Sequence, residues 1–547
     1  MSCDATPFLP VSFESESAPV LNAEMNVARL LSRPADRRPD APAIVEGQGA
    51  DRRVCSFAEL DERAGRAATM LSDEGLEPGD TVLLLQPMSI ELYVAVTALL
   101  RQGLVAMVPD PSADRDHLAA CCRRRPPDAL LGPPTAHLVR LLRLEMWRIP
   151  TAFVTSRWPV PGATRWATLR DHAPLDESVE TGDDTPALLT FTSGSTGAPK
   201  AAVRTHGHLR AQYTALRDAL SLEPGETDLA TLPIFVLANL ARGVTTVLPD
   251  ADLRRPAEVT PGPLLSQIRA ERPTRTGGSP AFYERLLDAA DEALAGFDCV
   301  ATGGAPLFPD TLRRFQATAP DTTILAVYGS TEAEPIAHVA VDTIAEADWA
   351  AMRAGEGLLA GPPVDDVELR VLPDRWGTPI GPFTREAFDD ACCPPGAPGE
   401  IVVAGPHVLP GYLDGVGDEE IKFAVDGTRW HRTGDAGFLD EAGRLWLLGR
   451  CHARIDDERG TVYPFGVESA ARLLDGVRRA AYVAHRGDRV LVIEPPSNHD
   501  PPSEDRLRDR LTEPIDAVVV LDAMPVDRRH NAKIDYPALE DILDRRK

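Results

Sequence analysis

Apolar positions recur at two spacings along this chain, and the spacings alternate. From Ser56 the spacing is helical. Ser56 suits an N-cap, Glu59 completes a capping box, and apolar residues return at helical intervals to Leu71 before Gly75. After Pro78-Gly79-Asp80 a continuous apolar run over 82–85 predicts a buried strand. Residues 90–100 read as a helix, 104–108 as a strand closed by Pro109, and 118–131 as a repeat of the pattern. This alternation predicts an α/β protein built on a parallel, doubly wound sheet.

The run Ala187-Leu188-Leu189 predicts another strand, leading into a loop over 190–200. That loop carries the hydroxyls of Thr192, Ser193, Ser195 and Thr196, the glycines Gly194 and Gly197, and the cation Lys200. Such a loop can aim several backbone N–H groups at one point and so bind an anion, and a polyphosphate is its natural guest. It is no Walker A loop, because its lysine does not directly follow a glycine.

Beyond it, 206–220 reads as a helix beginning at His206 and His208. Val300-Ala301-Thr302 enters a small-residue turn at Gly303, Gly304 and Ala305, where missing side chains leave room for a flat ring. Residues 325–327 lead to Tyr328-Gly329-Ser330-Thr331-Glu332. An aromatic able to stack on a purine there stands beside a hydroxyl for the α-phosphate and a carboxylate for Mg²⁺. Alone, Ser-Thr-Glu is usually a helix N-cap. Thr433-Gly434-Asp435 sets a carboxylate between small residues, where it can accept two adjacent hydroxyls or close an Asx turn. Strands follow near 445–448, 481–483, 490–493 and 517–521.

The 547 residues are 43% hydrophobic and 26% charged, a globular composition. The net charge of −26 argues against nucleic acid or an anionic membrane as partner. No basic n-region opens the chain, and the longest apolar run, 92–100, is too short to span a bilayer, so a cytoplasmic protein is expected. The adjacent pairs Cys121/Cys122 and Cys392/Cys393 suit neither zinc nor a disulfide framework.

In this order, the 190–200 loop, the Tyr-Gly-Ser-Thr-Glu loop and Thr-Gly-Asp resemble the adenylate-forming superfamily of acyl-CoA synthetases, peptide-synthetase adenylation domains and luciferases. The resemblance runs from about residue 50 to the end. It implies a large adenylating domain over 26–450 with doubly wound sheets and a small β-structure. A small mobile α+β lid would follow over 451–547, and residues 1–25 would be a disordered tail.

The resemblance also implies ATP and Mg²⁺. Thr192, Ser193, Gly194, Ser195, Thr196, Gly197 and Lys200 would cradle phosphates, and Gly303, Gly304, Ala305, Tyr328, Gly329 and Ser330 would flank adenine. Asp435 and Arg450 would hold ribose, Thr331 the α-phosphate, Glu332 the metal, and Lys533 the reacting carboxylate.

Three departures stand out: Val236 where many acyl-CoA synthetases have histidine, Gly466 for a usual glutamate, and Ala532 for a glycine. With the Arg-His-Asn-Ala-Lys-Ile ending and the Gly-Ser-Pro-Ala segment from Gly278, the chain is similar to the β-lactone synthetases of bacterial olefin biosynthesis. That narrower likeness implies activation of a β-hydroxy acid and ring closure by its own hydroxyl. CoA transfer or carrier-protein loading is the alternative, with CoA less favoured and a carrier or pathway enzyme as partner. A degenerate nucleotide-binding sensor is an alternative of another class.

Overall fold

Ser56 Oγ accepts the Glu59 amide at 3.1 Å, and the helix Phe57–Asp73 follows, as the capping pattern predicts. The computed structural model describes residues 26–110, 114–193, 199–496, 499–527 and 533–546, with backbone alone at Thr192 and Ser193. The expected tail 1–25, Gly194 to Gly197, and the 528–532 part of the ending, Ala532 included, lie outside the described residues.

Strands β1 (Pro42–Glu46) and β2 (Arg53–Ser56) form one edge of an eight-stranded sheet. A seven-stranded sheet follows: β3 (Thr81–Leu84), β4 (Val105–Val108), β5 (Ala129–Gly132), β6 (Thr151–Val154), β7 (Thr164–Arg165), β8 (Pro186–Ser193) and β9 (Pro199–Thr205). Its order is β7-β6-β5-β3-β4-β8-β9, and only β9 runs antiparallel. The chain then completes the first sheet with β10 (Thr227–Ala230), β11 (Thr245–Val247), β12 (Arg275–Gly278), β13 (Cys299–Gly303), β14 (Thr323–Ser330) and β15 (Ala333–Ala340). The order there is β15-β14-β13-β12-β10-β11-β1-β2, parallel inside and antiparallel at both edges.

One apolar cluster joins Ile44 and Ala230 of this sheet to Val82, Leu84 and Ala106 of the other. It runs through the helices Phe57–Asp73, Ile90–Arg101 and Pro233–Arg242. Sheets whose strands are buried on both faces by helices read as continuous apolar runs, which is why the 82–85 pattern was informative.

A third, antiparallel sheet holds β16 (Leu358–Gly361), β17 (Glu368–Leu372), β18 (Gly399–Ala404), β19 (Lys422–Val425), β20 (Thr428–Leu439) and β21 (Leu445–Arg450). Then come a hairpin, β22 (Ile455–Asp457) and β23 (Gly460–Val462), and a three-stranded sheet of β24 (Arg479–His485), β25 (Asp488–Glu494) and β26 (Ala517–Val520). Two apolar clusters are drawn wholly from residues after Arg450.

Two expectations need correction. Residues 190–193 continue β8, paired antiparallel with β9, so Thr192 lies opposite Lys200 rather than in a loop. Tyr328, Gly329 and Ser330 likewise end β14, and the turn to β15 is confined to Thr331 and Glu332. In both places cross-strand hydrogen bonding overrides a glycine- and hydroxyl-rich composition.

Candidate active site

Each of three sheets contributes a strand residue or a turn to the candidate site. From the first comes Glu332, between β14 and β15. Its Oε1 accepts the Tyr412 hydroxyl at 2.5 Å, and its carbonyl accepts the Leu409 amide at 2.6 Å. From the second comes Lys200 on β9. Its Nζ pairs with Glu420 Oε2 at 2.7 Å and lies over the Tyr412 ring, 5.8 Å from the centroid. The backbones meet as well, with isolated bridges from Ala202 to Tyr412 and from Ala333 to Val408. Arg204, 6% exposed, fastens the two sheets together. It donates to Thr190 Oγ1 at 2.5 Å and to the Thr331 carbonyl at 2.8 Å.

From the third sheet comes Asp435, opposite Arg450 in the β20–β21 register. Oδ2 accepts the Tyr328 hydroxyl and Oδ1 the Arg450 guanidinium, each at 2.8 Å. The Thr433 hydroxyl accepts the Asp435 amide at 3.1 Å and helps set the carboxylate. Gly434 has φ +68°, and a Cβ there would meet the Trp376 ring at 2.8 Å, so the middle of this motif needs glycine.

Gly303 faces Val327 in the β13–β14 register, and a Cβ on it would sit 2.5 Å from the Val327 carbonyl. The Gly303–Ala305 turn is thereby brought beside Tyr328. Lys533 stands apart from this set. Its backbone exchanges hydrogen bonds with Asp527 at 2.8 and 2.9 Å, and Ile534 bridges Val526. Tyr536, three residues on, packs edge-on to His452 with centroids 5.8 Å apart, just past Arg450.

Burial raises the Glu332 carboxyl, while His431, the Tyr412 hydrogen bond and Lys422 lower it; the net shift is downward. Burial also pushes His431 down to about 3, so at neutral pH that ring is uncharged and the Lys422 ammonium supplies the positive field. Lys422 is itself lowered to about 8 by burial, against the pull of Glu332 and Asp418, and it donates to the Leu409 carbonyl. Burial raises the Tyr328 hydroxyl well above its ordinary value, so it remains a donor to Asp435.

Sequence reasoning missed Tyr412, Arg204, Lys422 and His431. Tyr412 and Arg204 hydrogen-bond to partners 80 and 127 residues away, and Lys422 and His431 act on Glu332 through charge, so none of the four gives a local sign.

This set fits a magnesium nucleotide by the chemistry of its donors. Mg²⁺ keeps several waters and takes one or two carboxylates plus phosphate oxygens, a demand that one ionised Glu332 meets. Among the described residues no group of three or more His, Cys, Asp or Glu forms a protein-only metal cage. His206 and His208 are buried, and burial pushes them down to about 4 and about 3. Val236, at the departure from the synthetase pattern, is fully buried in the largest apolar cluster.

The sequence profile of the AMP-binding enzyme family matches residues 31–413, so this chain belongs to the AMP-binding enzymes. It is an AMP-forming ligase that makes acyl-adenylates. Among curated proteins, it is 33% identical over 545 residues to the olefin beta-lactone synthetase of Stenotrophomonas maltophilia, covering 94% of this chain and 97% of the relative. The olefin beta-lactone synthetase of Xanthomonas campestris is also 33% identical, over 483 residues and 84% of each chain. Among solved structures, ATP-bound MatB from Rhodopseudomonas palustris superposes with a TM-score of 0.76 at 23% identity, over 95% of this chain and 99% of that one. The amide bond synthetase McbA from Marinactinospora thermotolerans gives 0.77 at 22%, over 94% and 99%. These two likenesses speak to the fold.

Proposed function

We propose that the protein activates a β-hydroxy carboxylic acid with ATP and closes the acyl-adenylate to a β-lactone. What supports the reading is that Tyr412 joins Lys200 to Glu332 while Tyr328, on the strand leading to Glu332, holds Asp435, in a chain 33% identical to olefin beta-lactone synthetases along nearly its whole length.

A carboxylate is a poor electrophile, so hydroxide must be exchanged for a better leaving group. The acid's oxygen attacks the α-phosphorus, the bond to the β-phosphate oxygen breaks, and pyrophosphate departs. The protein's part is to align the two anions and neutralise charge on the phosphate oxygens. In this reading Lys200 and the segment 192–197 hold the β- and γ-phosphates. Asp435, ordered by Tyr328 and Arg450, accepts the ribose hydroxyls, and Gly303–Ala305 with Tyr328 flank the adenine. Glu332 is the group that would hold magnesium, which supplies charge neutralisation at the phosphates. Lys533, on a lid of residues 451–547, reaches the carboxylate and α-phosphate when the lid turns about Arg450–His452.

In the second half the substrate's β-hydroxyl attacks the acyl carbon. Its proton passes to a phosphate oxygen of the departing AMP, AMP leaves with the bonding pair, and a four-membered ring closes. An intramolecular nucleophile has a high effective concentration and needs no outside acceptor. Buried Val236 in place of a histidine agrees with an enzyme that does not hand its acyl group to CoA.

The test is incubation with ATP and a panel of β-hydroxy acids without CoA, followed by mass spectrometry. AMP together with a product one water lighter than the acid supports the proposal. Acyl-adenylate that persists until CoA or a carrier thiol is added overturns the lactone step and leaves adenylation standing.

A further inference from the structure

The net charge of −26 is not spread evenly. Residues 134–165 contain Arg140, Arg143, Arg148, Arg157 and Arg165 against one carboxylate, Glu145. This segment forms the helices Pro134–Leu142 and Leu144–Trp147, strand β6, and a loop carrying Trp158. Among the described residues it also holds most of the exposed large apolar side chains. Leu138, Leu141, Leu142, Leu144, Trp147 and Trp158 are 57–78% exposed. Single exposed leucines are ordinary; four leucines and two tryptophans within about twenty residues call for an occupant.

The inner face of the same helices is firmly seated. Met146 and Ile149 are buried in a cluster with Leu189, Phe191 and Ala201 of the β8–β9 hairpin. Arg140 ties the helix to the Trp158 loop through the carbonyls of Gly162 and Ile149. Glu145 is occupied by Arg123 at 2.6 Å, and Arg143 by Asp116 at 2.7 Å. Arg148, Arg157 and Arg165 have no ion-pair partner among the described residues.

We propose that this face docks on an anionic lipid surface. The argument is charge complementarity together with shape. Leucine and tryptophan side chains that stand out from short helices wedge into a soft medium. Arginines around them meet lipid phosphates, the pattern of an interfacial amphipathic segment. The net charge, which for the chain as a whole argues against an anionic membrane, is screened beyond about 8–10 Å at physiological salt, so here the local patch governs contact and reverses that expectation. A second copy docked face to face would bring two clusters of like charge together, which disfavours self-association. No helix is long and apolar enough to cross a membrane, so the contact is peripheral.

The experiment is vesicle flotation of the full chain, with phosphatidylcholine alone and with an equimolar mixture of phosphatidylcholine and phosphatidylglycerol. Expected are flotation with the anionic vesicles, loss at high salt, and a blue shift in the emission of Trp147 and Trp158. The triple variant Arg148→Glu/Arg157→Glu/Arg165→Glu should weaken binding on the order of a hundredfold. The apolar variant Leu141→Ser/Leu144→Ser/Trp147→Ser should abolish the blue shift, and both should keep ATP–pyrophosphate exchange. The proposal is overturned if wild type stays with the protein fraction, or if both variants float as wild type does. It is equally overturned if sedimentation shows a dimer that the variants dissociate while vesicles capture nothing.

Discussion

Tyr412 gives its phenolic hydrogen to Glu332 Oε1 across 2.5 Å, and the same ring lies under the Lys200 ammonium. One side chain thus fixes the orientation of the acidic group and the seat of the basic one. A hydrogen bond to a charged acceptor contributes about 1.5–3 kcal/mol. Tyr412→Phe keeps the ring beneath Lys200 and removes that bond. The magnesium concentration needed for half-maximal ATP–pyrophosphate exchange should rise roughly ten- to hundredfold. Superimposable magnesium titrations would remove Tyr412 from the site.

Lys533 is held by Asp527 at the backbone, close in sequence to the Tyr536–His452 contact beside Arg450. If its ammonium serves the developing charge at the α-phosphorus, Lys533→Ala should lower pyrophosphate release about a hundred- to thousandfold. Nucleotide affinity by calorimetry should change little. Normal release would take Lys533 out of the chemistry.

Glu468 is 1% exposed and accepts the Tyr482 amide at 3.1 Å and the Tyr536 hydroxyl at 3.4 Å. Burial pushes its carboxyl up from 4.5 to about 8. The folded state therefore holds a proton that the unfolded state releases, and the sign follows: the contribution is whole below 4.5 and is lost as pH rises through about 8. Thermal melts across that window should show wild-type stability falling with pH, with a flatter profile in Glu468→Gln. Parallel profiles would contradict the assignment.

Gly466, where the resemblance leads one to expect a glutamate, sits in a close backbone approach. A Cβ on Gly466 would lie 2.2 Å from the Gly355 carbonyl, in a contact that also includes the Arg472–Asp310 pair at 2.8 Å and Ser469 on the Met352 carbonyl at 2.9 Å. Gly466→Ala should cost about 1–3 kcal/mol of this packing. Limited proteolysis should then cut faster near residues 451–463. Unaltered cleavage would mean that the close approach is not kept in solution.

The framework was legible because it is local. The Ser56 cap, the buried run over 82–85 and the helices beginning near Ile90 and His206 follow from short-range rules and appear as expected. The ends of β8 and β14 were misread as loops, since their order comes from strands paired across the chain rather than from their own composition. Lys200, Glu332, Asp435 and Arg450 announced themselves by motif. Tyr412 and Arg204 did not, because their partners lie 80 and 127 residues away.

Asp435 has a final consequence. A carboxylate offers about four lone-pair positions, and folding has already filled one on each oxygen, from Tyr328 and Arg450. What remains is one further acceptor position on each oxygen, on a side chain 16% exposed and held in rotation from both sides. Under the proposed function a vicinal diol would meet acceptors whose ordering entropy was spent on folding, before the encounter.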